Sequence, residues 1–325
     1  MAFGLAVALA GSAEFALRAA GFEPSVEPEG TAWMVARAAV DRTSVVFAGT
    51  SRLQTDVDPI EWRDEVGGPA PIQLSMVGTS PLPIAEAVAS DIDFEGTLVL
   101  EVMPRFFWNT SPTAEQAAEA MVRRYRASEV SPSARIERWI WARTAGRLVV
   151  QNPELRLPRL LEALWARRPV QPVRWRSRTD RFTPMDRALV TGAPGDEEAF
   201  YQAVATPTPS DVTEVIERVL RLASLLESRG GELVLVGLPA CGASRELEER
   251  YYPRSEYWDR LVDGSGVRAI LAYDHAELTE FSCADGSHLD YRDVPAFTRA
   301  LARRVSPRDT VASARTGGAG RESGV

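Results

Sequence analysis

"GTLVLEVMPR", residues 96–105, decides how this chain folds. Four apolar or β-favouring residues, Thr97 to Leu100, run together without polar alternation, which is the pattern of a strand covered on both faces in a parallel sheet. "GELVLVGLPA" (231–240) repeats it, and the helical stretch before it places Val215, Val219, Leu222 and Leu226 on one face before Gly230-Gly231 stop the helix. "TSVVFAGTSR" (43–52), the weaker "PIQLSMVGTS" (71–80) and "VRAILAYDHAEL" (267–278) supply three further strands. "YRDVPAFTRALARRV" closes the series with an amphipathic helix whose Val294, Phe297 and Leu301 share a face. Strands that alternate with helices predict an α/β three-layer sandwich on a parallel five-stranded sheet in the flavodoxin-like order 2-1-3-4-5.

About 125 residues separate the third and fourth strands, too many for one crossover. They read as a helical insertion at about 110–200, with helices in "SPTAEQAAEAMVRRYRASEV", "SARIERWIWARTAGRLVV" and "LRLPRLLEALWARR" and a Pro-punctuated loop in "PVQPVRWRSRTDRFTP". The α/β domain is therefore expected over 30–308, and the polar tail 309–325 is expected to be disordered. Trp139, Trp141 and Trp165 read first as core or helix-packing residues, with stacking on sugar rings as the second reading. The chain has no lysine, and its net charge is −8. That balance gives no reason to expect nucleic acid as a partner. Residues 121–187 carry sixteen Arg against six acidic residues, a balance of +10 that leaves −18 for the rest. Two readings fit this asymmetry: solvated helix faces, or a surface that meets acidic lipid headgroups or an anionic glycan.

The first 25 residues, "MAFGLAVALAGSAEFALRAAGF" and its continuation, are apolar for about half a membrane span before Glu14 and Arg18. They fit a truncated signal anchor, an atypical export signal or a buried helix. The first two place the domain outside the cytoplasm, on the periplasmic side and anchored to the inner membrane. The third leaves it cytoplasmic.

The chemistry-bearing residues lie at the two ends of the sheet region. Ser51, in "AGTSRLQ", follows a buried strand and Gly49, where ligands of open α/β sheets sit. A serine hydroxyl needs a base to become a nucleophile. The chain has two histidines. His288, in "DGSHLDY", is the candidate base, with Asp285 three residues earlier to orient it. The plain alternatives are a strand-end turn for Ser51 and a structural imidazole for His288. His275 reads as structural. Arg52 is open to two roles, contact with a substrate carboxylate or pairing with a nearby acid. No metal or cofactor is expected.

"VVFAGTSRLQTDVDP" resembles the first block of the SGNH/GDSL hydrolase superfamily, and "DGSHLDYRDVPAFTRALA" resembles its last block. "LVLVGLP", "YYPRSEYWDRL" and "GVRAILAYD" are similar to the C-terminal half of bacterial membrane-anchored SGNH-like proteins, including those of alginate O-acetylation and D-alanyl-lipoteichoic acid biosynthesis. The resemblance covers roughly 30–105 and 210–305. It implies Ser51 as nucleophile, His288 as general base, Asp285 as its partner and Gly78 of "MVGTS" as an oxyanion donor beside the Ser51 amide. It further implies an esterase or O-acyltransferase acting on an acylated small molecule or cell-envelope glycan, with a membrane-bound O-acyltransferase as a partner the resemblance suggests, or else an inactive scaffold of the same fold. The third block normally supplies an Asn. Here "EVMPRFFWN" has no such motif, Asn109 lies too far on, and Arg105 is the substitute electrophile considered. With strands in the order 2-1-3-4-5, Cys241 and Cys283 leave neighbouring strand ends. They fit a disulfide if the domain is exported, or two separate buried thiols if it is not.

Overall fold

The computed structural model describes residues 2–167, 177–189 and 197–306, with side chains from residue 11 onward. It contains a five-stranded, all-parallel sheet of β1 (Val45–Ala48), β2 (Ile72–Gln73), β3 (Thr97–Glu101), β4 (Glu232–Gly237) and β5 (Arg268–Leu271). The spatial order is β2-β1-β3-β4-β5, the α/β sandwich expected from the pattern. Leu98–Leu100 pair with Val46–Ala48 on one side and with Leu233–Leu235 on the other. These residues are nearly all fully buried, which is why the central strands carry no polar alternation.

Two helical layers cover the sheet. Helices Ser51–Asp56 and Pro59–Val66 pack with the last helix, Val294–Val305. Helices Leu82–Ala89 and Trp258–Ser265 pack with Pro209–Glu227. The last of these buries Val212, Val215, Val219, Leu222 and Leu226, the face its periodicity predicted. Its start is fixed by a capping box, in which Thr208 and Asp211 satisfy each other's backbone N–H.

Two strands are shorter than their sequence suggests. β2 forms ladder pairs only at Ile72 and Gln73, because the Gln73 side chain turns to bond Leu53 O and Ser75 N. The segment still runs beside β1, since Leu74 and Met76 donate to the carbonyls of Phe47 and Gly49. β5 gives way after Leu271 to two 3-10 turns, Ala272–Asp274 and Ala276–Leu278.

The chain divides into two compact units, Met1–Ala38 with Tyr125–Pro184, and Ala39–Arg124 with Met185–Val325. The second holds the sheet. The first is helical and has its own core of Trp33, Met34, Tyr125 and Val149, with the Trp33 and Tyr125 rings edge to face at 6.2 Å. Residues 30–38, expected with the α/β domain, belong instead to this helical unit, and so does the N-terminal segment. Glu14 of the N-terminal helix, Ala2–Ala19, accepts the N–H groups of Val149 and Val150 at 2.9 and 3.0 Å. Among the described residues no helix is long and apolar enough to cross a membrane. The expected disorder at 309–325 and much of the Pro-punctuated loop lie outside the described residues.

Trp139 and Trp165 are not core residues. Both are exposed, because the helices that carry them, Pro132–Thr144 and Leu157–Trp165, bury none of their side chains.

Candidate active site

Ser51 stands at the first position of helix Ser51–Asp56, three residues beyond the end of β1. Its amide, at a helix start, has no intrahelical acceptor. Gly49 is needed just before it. A Cβ there would come within 2.5 Å of Glu101 Oε2 and 2.8 Å of the Leu53 side chain. Glu101 ends β3 and accepts the Thr50 N–H at 2.5 Å, so a buried carboxylate fixes the turn that presents Ser51.

The loop after β5 brings the imidazole to that serine. His288 Nε2 lies 2.8 Å from Ser51 Oγ, and His288 Nδ1 lies 2.8 Å from Asp285 Oδ2. Asp285 Oδ1 accepts the N–H groups of Ser287 and His288, which holds the carboxylate in place. An ionised Asp285 can only accept, so the ring proton sits on Nδ1 and the Nε2 lone pair faces the serine hydroxyl. Burial would raise the Asp285 pKa, but the His288 bond, its charge and the two backbone N–H groups outweigh it and hold the carboxyl at about 2. Burial works against the His288 imidazolium, yet the Asp285 bond and the charges of Asp56 and Asp285 outweigh it, so the pKa is raised. This chain of hydrogen bonds can take a proton from Ser51 and stabilise the cation that results.

The loop is braced from three directions. A Cys241–Cys283 disulfide, with Cα atoms 5.8 Å apart, ties it to the end of β4. Cys241 N–H also donates to Gly286 O, and Cys283 and Leu289 form an isolated antiparallel bridge. Asp56, at the far end of the serine's helix, accepts the Leu289 N–H at 3.0 Å. Asp56 is fully buried, and burial, opposed by the His288 charge and by the Thr55 and Leu289 hydrogen bonds, pushes its pKa up to about 7.

Arg52 is the third brace, and this corrects the substrate-contact reading. It is 1% exposed, bonded through Nη2 to Glu248 at 2.6 Å and through Nε to Ser287 Oγ at 3.0 Å. Tyr201 donates to the same Glu248 oxygen. The pairing alternative holds: the guanidinium is buried, does not line the cavity at Ser51, and links the residue after Ser51 to the residue before His288. Arg105 is likewise not an electrophile at the serine. Its guanidinium lies 3.7 Å from the Phe200 ring centroid and donates to the Phe200 carbonyl, and it is not among the residues that line the cavity at Ser51. His275, between the two 3-10 turns, lies outside the cluster.

Ser51, His288 and Asp285 open onto a cavity of about 340 Å³. Gly78, with φ +69° in the loop after β2, lines the same cavity. That positive φ suits glycine and turns the backbone at a point where a side chain would be strained. Val77, Met103, Phe106 and Phe200 give the cavity an apolar wall, with Glu197 and Ser244 at another side. No Asn lines it. Among the described residues no cluster of His, Cys, Asp and Glu is suited to hold a metal ion.

Sequence reading missed Asp56, Glu101, Glu248 and Tyr201, because acids and tyrosines scattered along a chain carry no spacing signal for a shared buried network. Glu197 and Ser244 were missed for the same reason. No known family profile matches this chain, and no curated protein is significantly similar to it.

The raised His288 pKa fixes the sign of a pH effect. The imidazole must be neutral to take the Ser51 proton, so any chemistry that needs this transfer should fall off as pH drops through a value above the ordinary imidazole ~6.5. Asp56, itself raised to about 7, is partly ionised across this limb; Asp56→Asn keeps an acceptor for Leu289 and removes that partial negative charge, so the acid limb of kcat/KM should move to lower pH. A limb that stays in place in a pH–rate profile of this variant would rule out Asp56 as a source of the shift.

Proposed function

We propose that the protein is a serine-dependent acyl-ester enzyme of the SGNH type, an esterase or an O-acyltransferase. The observation that carries this reading is the unbroken Ser51–His288–Asp285 hydrogen-bond chain, at 2.8 Å for both links, on the wall of an apolar cavity. In the proposed reaction Ser51 Oγ attacks the ester carbonyl carbon as its proton passes to His288 Nε2. The negative charge that develops on the carbonyl oxygen faces the Ser51 and Gly78 amides. The ester C–O bond then breaks, His288 returns the proton to the departing alkoxide, and the acyl group stays on Ser51. Water as second acceptor completes hydrolysis; a hydroxyl of a glycan or small molecule completes transfer. The Cys241–Cys283 bond suits an oxidising compartment and supports a site of action outside the cytoplasm.

One feature favours a second reading, a binding component of an envelope polysaccharide system with weak chemistry. Among the described residues the cavity wall has no side-chain amide to serve as a third oxyanion donor, and the loss of one such donor typically slows acyl transfer by about 10²–10³. A fluorophosphonate probe separates the two readings. The enzyme reading expects covalent labelling that mass spectrometry maps to Ser51 and that vanishes in Ser51→Ala. Absence of labelling in the folded wild-type protein, or labelling that survives the substitution, would leave only the binding reading.

A further inference from the structure

Helix Leu157–Trp165 turns its apolar face to solvent. Leu157, Leu160, Leu161 and Leu164 recur at i, i+3, i+4 and i+7, and Trp165 flanks them. Leu157 is 67% exposed, Leu161 54%, Leu164 74% and Trp165 92%, and the helix buries no residue at all. A nine-residue helix is marginal by itself in water, so such a stripe implies a partner that covers it.

The charges around the stripe identify that partner. Arg156 stands at the helix start beside the edge of the stripe and Arg159 lies on the polar side, from which its long side chain can reach around toward the headgroups; they are paired with the exposed Glu27 and Glu162. Exposed pairs of this kind contribute little, so a stronger anionic surface can replace them. The helical unit as a whole carries fifteen Arg against nine Asp and Glu, a net +6, which leaves −14 for the unit that holds the sheet. A second helix of the same unit, Pro132–Thr144, also exposes Ile136, Trp139 and Ile140, with Arg143 stacked 3.9 Å over the Trp139 ring. Leu and Trp facing outward beside arginines that can reach past them is the composition of a helix that lies in a bilayer interface.

We infer that the helical unit docks on an anionic lipid surface through the Leu157–Trp165 face. The apolar stripe enters the boundary between headgroups and acyl chains, and Arg156 and Arg159 meet the lipid phosphates. This inference is independent of the proposed chemistry.

The test is co-flotation of the full chain with phosphatidylcholine vesicles containing about one-third phosphatidylglycerol, against vesicles of phosphatidylcholine alone. The expected result is binding to the anionic vesicles only, weakened as salt rises from about 0.05 to about 0.5 M. Leu161→Gln/Leu164→Gln should bind about tenfold more weakly. Because both side chains are exposed, its melting temperature should match the wild type. As an independent reading, brominated lipid should quench wild-type tryptophan fluorescence more than that of Trp165→Phe. Failure of the wild-type protein to float would overturn the inference. So would undiminished flotation of the double variant, which would assign binding elsewhere on the chain. A concentration-dependent dimer that dissolves in the double variant, without vesicle binding, would assign the face to a second copy instead.

Discussion

Asp285→Asn is expected to lower kcat/KM on an activated ester by about four orders of magnitude, the usual consequence of turning a base's ring to the wrong tautomer. The asparagine Oδ1 can still accept the Ser287 and His288 N–H groups that Asp285 Oδ1 accepts now. Its amide nitrogen would then face His288 Nδ1 where Asp285 Oδ2 stands. An N–H cannot accept from Nδ1–H, so the ring proton would move to Nε2. That nitrogen would donate to Ser51 Oγ rather than take its proton. Rate should therefore collapse while the loop stays folded, with a melting temperature shifted by only a few degrees. Turnover of p-nitrophenyl acetate within tenfold of the wild type would remove Asp285 from the proposed mechanism.

Arg52→Met is expected to cost about 3–5 kcal/mol of stability, the range seen when one partner of a buried ion pair is removed. Glu248 and Arg52 are both almost wholly buried, so methionine would leave a carboxylate with only the Tyr201 hydroxyl for company. Ser287 would lose its tie to the helix of Ser51 at the same time. Replacing both partners, Arg52→Met with Glu248→Met, should recover part of the loss, because the uncompensated charge goes with it. Urea midpoints give the answer. A loss of under about 1 kcal/mol for the single variant, or a double variant no more stable than the single, would show that the pair is not what holds the two segments together.

The framework of the fold was legible because its information is local and periodic. The unbroken apolar runs at 98–100 and 233–236 read as strands covered on both faces, and the helix ahead of β4 carried its buried face in its spacing. The site was legible where residue type limits the choice: with two histidines in the chain, His288 had little competition as the partner of Ser51. Arg52 was ambiguous for the opposite reason. An arginine beside a candidate nucleophile reads equally as a ligand contact or a strut, and Glu248, which decides between them, lies 196 positions away. Trp139 and Trp165 were misread because an apolar stripe states its period but not whether anything packs against it.

By itself, then, the sequence determined the order of strands and helices, the parallel sheet and the short set of groups able to do acid–base chemistry. These follow from chain stiffness, side-chain period and titration range, all properties of a residue and its near neighbours. The tertiary structure alone decided that Ser51 and His288 meet, that Arg52 and Asp56 face inward to brace their loop, and that the N-terminal helices join the insertion. Those outcomes depend on which distant groups share a volume too small for water, and burial sets both their energies and their protonation.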